Sequence, residues 1–225
     1  MRMFGNTSQW KGRLAVSLGV FSLGVIGTPL ATLGQEGETE PEIVRIEEDW
    51  KLVLVEPDVD GDSPQFHTTM SPVGHTDGTH FVATWNYRDY PEFNAGGLQV
   101  TSWHDDQASK YTTLRQSHLS NTAEGVAWTQ EMDIHGGAVR FGVKHGYSSS
   151  WSLFGGTKVD EPTNLENLNG YSRTVSANNS VVTYGDNRVS SLIMTKVRCY
   201  DKDDNLVCED NSPLVVFENA GEDEE

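Results

Sequence analysis

Three short stretches carry residue types at spacings that could do chemistry. The first is Asp58-Val-Asp60-Gly-Asp62-Ser-Pro, with three carboxylates at alternate positions. Calcium takes about 6–8 oxygen ligands, and a helix–loop–helix calcium loop needs glycine at its sixth position and a bidentate glutamate at its twelfth. Counted from Asp58, those positions hold Ser63 and Thr69, so this is not such a loop. Asp58, Asp60 and Asp62 form a calcium candidate only if oxygens arrive from elsewhere, and an acidic Gly/Pro turn leaving a strand explains them more simply. The second stretch is His75-Thr-Asp77-Gly-Thr-His80, two imidazoles and a carboxylate that could ligate a divalent metal. Neither helical nor strand spacing fixes these three together, and His104-Asp105-Asp106 is a poorer version of the same idea. The third is Trp85-Asn-Tyr-Arg88-Asp-Tyr90-Pro-Glu-Phe93-Asn. Flat aromatic faces beside amide, carboxylate and guanidinium groups suit stacking on sugar rings, and loops on a rigid scaffold are common recognition sites. Trp85, Arg88, Tyr90 and Phe93 make up the expected contact set, although Trp85 shares strand parity with Phe81 and so also reads as core. No G-x-S-x-G, P-loop or dinucleotide fingerprint is present.

The elements that must position these residues are almost all strands. Residues 1–34 read as a secretory signal peptide: Arg2, Lys11 and Arg13 precede the apolar run LAVSLGVFSLGVIG, then Thr28-Pro29 and small residues up to Gly34. An uncleaved anchor is the alternative, since Leu14 to Leu33 is about long enough to cross a bilayer. Removing 1–34 takes three basic residues and no acidic ones, which moves the net charge from −17 to −20. Such a surface repels phosphate backbones and anionic membranes, which excludes nucleic acid as a partner and membrane contact after cleavage. Residues 35–47 form an acidic linker and residues 219–225 an acidic tail, leaving 48–218 as one domain. Within it WKLVLVE, THFVATWNYR, GGLQVTSWH, KYTTLRQSH, GVAWTQEMDIH, AVRFGVKH, SLIMTKVRCY and SPLVVFE predict strands, with a helical turn conceivable near Thr163–Leu168. The fold class expected is all-β, an antiparallel β-sandwich or jelly roll.

A two-residue turn at Gly136-Gly137 predicts the pairs His135 with Ala138, Ile134 with Val139, Asp133 with Arg140, Met132 with Phe141, and Trp128 with His145. Alternation then puts Trp128, Gln130, Met132, Ile134, Val139, Phe141, Val143 and His145 on the core face. The other face carries Thr129, Glu131, Asp133 and His135. EMDIH resembles the E-x-D-x-E strand of laminarinase-type retaining glycoside hydrolases. The resemblance implies Glu131 as nucleophile and Asp133 as its supporting acid, with His135 standing where the acid/base glutamate belongs. A retaining mechanism uses two carboxyl groups about 5–5.5 Å apart, so that substitution removes half the machinery. Ion pairing with Arg140 and Lys144 explains the same residues.

The only two cysteines, Cys199 and Cys208, bracket a second hairpin. With Asp203-Asp204 as its turn they fall opposite each other as a non-hydrogen-bonded pair, about 4.5 Å apart at Cα and within disulfide reach. In an exported chain this predicts a bridge, stabilising by roughly 2–3 kcal/mol in the chain-entropy account.

Over residues 48–201 the chain resembles a group of secreted bacterial proteins in which phrases like EDWKLVLVEPD, PQFHTTMSP, WNYRDYPEFNAGGLQV and NRVSSLIMTKVRCY recur in similar order, a likeness that brings no activity with it. NRVSSLIMTKVRCY also resembles the end strand of concanavalin A-like sandwiches, which host both lectins and glycosidases. Together these imply a secreted, extracytoplasmic, non-catalytic protein that binds glycan or a cell-envelope polymer. No cofactor is required beyond the calcium candidate. The alternatives are a glycoside hydrolase-like enzyme using Glu131 and Asp133, and a purely structural module.

Overall fold

Alternation of apolar and polar side chains sets the inner faces of two sheets. A computed structural model describes residues 40–55, 63–87, 96–114, 119 and 123–219. In chain order its strands are β1 (Arg45–Leu54), β2 (Gln65–Met70), β3 (Thr79–Trp85), β4 (Leu98–His104), β5 (Gln107–Leu114), β6 (Glu124–His135), β7 (Ala138–Ser148), β8 (Ser152–Phe154) and β9 (Thr157–Pro162). The helix α1 (Arg173–Asn178) follows, then β10 (Val181–Tyr184), β11 (Val189–Tyr200), β12 (Leu206–Asp210) and β13 (Leu214–Glu218). The larger sheet runs β12-β11-β1-β6-β7-β8, with β13 also on β11 and β9 also on β7. The smaller runs β10-β2-β3-β4-β5, and every pairing is antiparallel. The chain is therefore all-β, two antiparallel sheets packed as a sandwich.

The core between the sheets is aromatic. Trp50 and Trp128 from the larger sheet meet Phe66 and Trp85 from the smaller, with Trp85 and Trp128 ring centroids 4.4 Å apart and Phe66 stacked on Trp85 at 5.4 Å. Trp151 and Phe154 close the cluster from the β7–β8 region, and Phe81 stacks on Phe141 further along. Side chains this large supply much of the apolar area a sandwich of this size must bury.

The Gly136-Gly137 hairpin holds the expected register from His135↔Ala138 to Met132↔Phe141. Trp128 and His145 do not pair as expected. The register slips between Ala127 and Thr129, His145 takes φ 52, and its side chain is exposed. Gly146 turns inward instead, where any Cβ would lie 2.0 Å from the Phe154 ring. The bulge thus trades a histidine for a glycine so that Phe154 can reach the aromatic cluster.

Cys199 and Cys208 are bonded and directly opposed, with Cα atoms 4.9 Å apart. The turn differs from the expected one. Asp201 N bonds Asn205 O, Asp204 sits at φ 67, and a register shift beyond Cys199 restores the pairing. The bridge fits an oxidising environment. The helix also falls elsewhere: residues 163–168 are irregular, and α1 begins after Ser172, whose hydroxyl caps Val175 N. Among the described residues no helix is long and apolar enough to cross a membrane.

Asn86 ties the ends of three connections together. It is fully buried at φ 50, a conformation asparagine tolerates better than most residues. Its side-chain amide donates to Pro64 O (2.8 Å) and Leu119 O (3.2 Å) and accepts from Leu119 N (2.9 Å). Asn86→Ala should lower unfolding free energy by about 2–4 kcal/mol in urea titration, with an unchanged slope, because it orphans buried backbone groups. Asn86→Gly, which relieves the backbone but not the lost bonds, should recover only part.

Candidate functional site

On the outer face of the larger sheet, Glu131 of β6 lies opposite Glu47 of β1, and Asp133 opposite Arg45. Lys144 of β7 bridges the two glutamates, 2.5 Å from Glu47 and in direct contact with Glu131. Arg45 reaches both from the other side, at 3.4 and 3.7 Å, and stands over the Tyr200 ring at 3.9 Å. Arg198 bonds Glu47 at 3.0 Å and Asp49 at 2.8 Å. Burial raises the Glu47 carboxyl, but the Lys144 hydrogen bond and the charges of Lys144, Arg198 and Arg45 outweigh it and hold the group below the usual range. Burial, then the charge of Glu131, pushes Asp133 up. Arg140, which faces Asp133 in the register, bonds Asp160 instead at 2.8 Å. His135 stands exposed at the strand end. Glu131 therefore has a second carboxyl beside it, but one held ionised by three cations, which is an ion-pair lattice and the reverse of what a proton donor needs.

The outer face of the smaller sheet is built differently. Inward residues of β2, β3 and β4 are Phe66, Thr68, Met70, Phe81, Ala83, Trp85, Leu98, Val100 and Ser102, so the intervening residues must face out. His67 and Thr69, His80 and Val82, and Trp103 thereby line one groove of about 540 Å3. His80 pairs across the ladder with Trp103, and their rings lie within 9° of parallel at 6.3 Å. Thr76 and Asp77 enter from the β2–β3 loop, Asp105 and Asp106 from the β4–β5 turn, and Asn179 from the end of α1. The walls are fixed: Asp105 N bonds Gly78 O at 3.1 Å, and Thr69 holds Asn179 O through its hydroxyl (2.8 Å) and Ser180 Oγ through its amide (3.0 Å). Gly74 lets the β2–β3 loop press on the next segment, since a Cβ there would sit 2.4 Å from Gly170 O. Burial lowers the His67 pKa, disfavouring its charged form. The result is a floor of indole and imidazole rings rimmed by hydroxyl, amide and carboxylate groups.

The expected contact residues Arg88, Tyr90 and Phe93 lie outside the described residues, as do Asp58, Asp60 and Asp62. Trp85 is fully buried in the aromatic cluster, so it offers no exposed face to a ligand. Asp77 and His80 share the groove while His75 does not line it, and among the described residues no group of three His, Cys, Asp or Glu side chains is placed to hold a metal ion. No protein-family model matches the chain, and no curated protein matches it. Fold and geometry define its class: an all-β sandwich with an open, aromatic-floored groove on one sheet and a charge lattice on the other.

Inside the sandwich lies a carboxyl group with no cation paired to it among the described residues. Glu48 is fully buried on β1, and its Oε2 accepts from Trp50 Nε1 (2.9 Å) and Gln130 Nε2 (2.6 Å), while Oε1 accepts from Tyr171 OH (2.6 Å). Gln130 in turn accepts from Thr68 of the other sheet at 2.8 Å. Burial raises the Glu48 pKa against the lowering effect of these donors, and burial together with Glu48 pushes the Tyr171 phenol well above its ordinary value. A raised folded-state pKa contributes stability that is full below the unfolded pKa and lost as pH rises through the folded one. Glutamine fits the same donors, with its oxygen toward Trp50 and Gln130 and its amide toward Tyr171. Glu48→Gln should therefore match the parent in stability at about pH 4 and exceed it increasingly toward about pH 8. Urea titrations across that range read the difference, and a constant gap would contradict it.

Proposed function

We propose that this chain is an exported, non-catalytic protein that binds a glycan chain of the cell envelope or its surroundings, and that the groove over β2, β3 and β4 is the contact. One observation carries the reading: the half-buried Trp103 ring, stacked near His80, forms an aromatic floor within a 540 Å3 groove whose rim is hydroxyl, amide and carboxylate. Sugar rings present an apolar face of C–H groups and an edge of hydroxyls, and such a groove offers a partner to each. The signal-like N-terminal segment and the Cys199–Cys208 bridge support export. The resemblance of NRVSSLIMTKVRCY to the end strand of concanavalin A-like sandwiches, a fold that hosts lectins, makes sugar the ligand class to test first.

The test is affinity electrophoresis of the purified protein through gels containing a panel of polysaccharides, with and without EDTA. Retardation by at least one glycan is expected, and Trp103→Ala should weaken it at least tenfold with near-UV circular dichroism otherwise preserved. Full binding by that variant would move the contact elsewhere, and no retardation anywhere would sink the glycan reading. Loss of binding in EDTA would make a divalent cation part of the interaction and reopen Asp58, Asp60 and Asp62 as its candidate ligands.

A further inference from the structure

The groove is one-sided in charge. Asp77, Asp105 and Asp106 line it, while among the described residues no lysine or arginine does. Among the described residues none of the three has a Lys or Arg within ion-pair distance, and only His104 approaches Asp105, at 3.9 Å. The five strands beneath carry one Lys or Arg, Lys110 of β5, and its Nζ is engaged elsewhere, bonding Asp160 O at 2.7 Å and pairing with Glu161 at 3.6 Å. Arg45, Lys144 and Arg198 are spent on the opposite sheet. Of the two histidines that line the groove, His67 and His80, burial disfavours the charged form of His67.

We infer that the groove prefers amine-bearing glycans, chains in which some sugar rings carry a protonated amino group where others carry acetamido or hydroxyl; this rests on the glycan reading above. Two features act together on such a ring. Trp103 brings to the groove the ring type that is the strongest aromatic partner for a cation, and Asp77, Asp105 and Asp106 from the loops line the same groove. The same charges repel uronic and sulfated glycans. The carboxylates are exposed and their field is screened by salt, so they act on specificity and association rate more than on total affinity.

The experiment compares one sugar backbone in two forms: calorimetric titration of the purified protein with a β-1,4-linked glucosamine oligomer and with its fully N-acetylated counterpart, at a pH where the amine is protonated. The deacetylated form should bind at least tenfold tighter, and that advantage should shrink as salt rises. Asp105→Asn combined with Asp106→Asn should remove most of the advantage, weakening the deacetylated form more than the acetylated one, so that the ratio of the two affinities falls toward one. Asparagine is tolerated at the left-handed Asp105 (φ 52), and Asp77→Asn gives an independent second variant should the pair fail to fold. Equal affinity for the two forms overturns the inference and leaves the glycan reading standing. Binding to neither, with silence on the gel panel, removes both. A lysine homopolymer bound as tightly as the amino-sugar oligomer also overturns it, because charge alone would then be the ligand.

Discussion

The hydrogen bonds around the Glu48 carboxyl join every part of the sandwich. Through Gln130 and Thr68 they cross from the larger sheet to the smaller, and through Tyr171 they hold the segment that leads into α1. That helix is followed by its C-cap Asn179, whose carbonyl is fixed to Thr69 of β2, so one wall of the groove is anchored to the same chain of contacts. A buried acid without a cation weakens the fold at neutral pH relative to an apolar replacement, but its donors would be left unmatched by one. The arrangement favours one relative placement of the two sheets over a merely well-packed set of alternatives.

The two outer faces divide the chain's charge between them. On the larger sheet, acids and bases stand on adjacent strands and cancel one another, with Glu47 sharing Lys144, Arg198 and Arg45. On the smaller sheet the strands carry no acidic residue, and the carboxylates near the groove come from the loops at one end. A lattice that is internally neutral has little left to offer a ligand. A face whose charges are unpaired does, and this is the physical ground for locating function on the smaller sheet.

Much of this was legible in the residues themselves, to the degree that local rules decided it. Gly136-Gly137 fixes a turn type, so the hairpin register followed, and two opposed cysteines in a strand pair announced their bridge. The slip at Trp128 did not follow, because it is driven by Phe154 needing the space a Cβ at Gly146 would fill, a contact between distant segments. Strand β2 escaped notice because Gln65-Phe-His-Thr-Thr-Met carries a polar Thr68 inward, where Gln130 satisfies it. The groove was missed for a related reason. Asp77, His80, Asp105 and Asp106 stand out in the sequence only as weak metal candidates, and only the ladder registers bring them together with His67 and Trp103. The outward parity of His80 and Trp103 was the available signal, and strand pairing is what it lacked.

The larger sheet ends on both sides in broken edges. Along β7 lie β9, six residues long, and then β8, three residues long; along β11 lie β12 and β13, five residues each. Each long strand is thereby covered without a new strand of equal length being left bare. A foreign strand seeking to pair would find short, interrupted rows of amide and carbonyl groups instead of one continuous template. The net negative charge adds mutual repulsion between copies, so both the shape of the edges and the charge act against edge-to-edge pairing of this sheet.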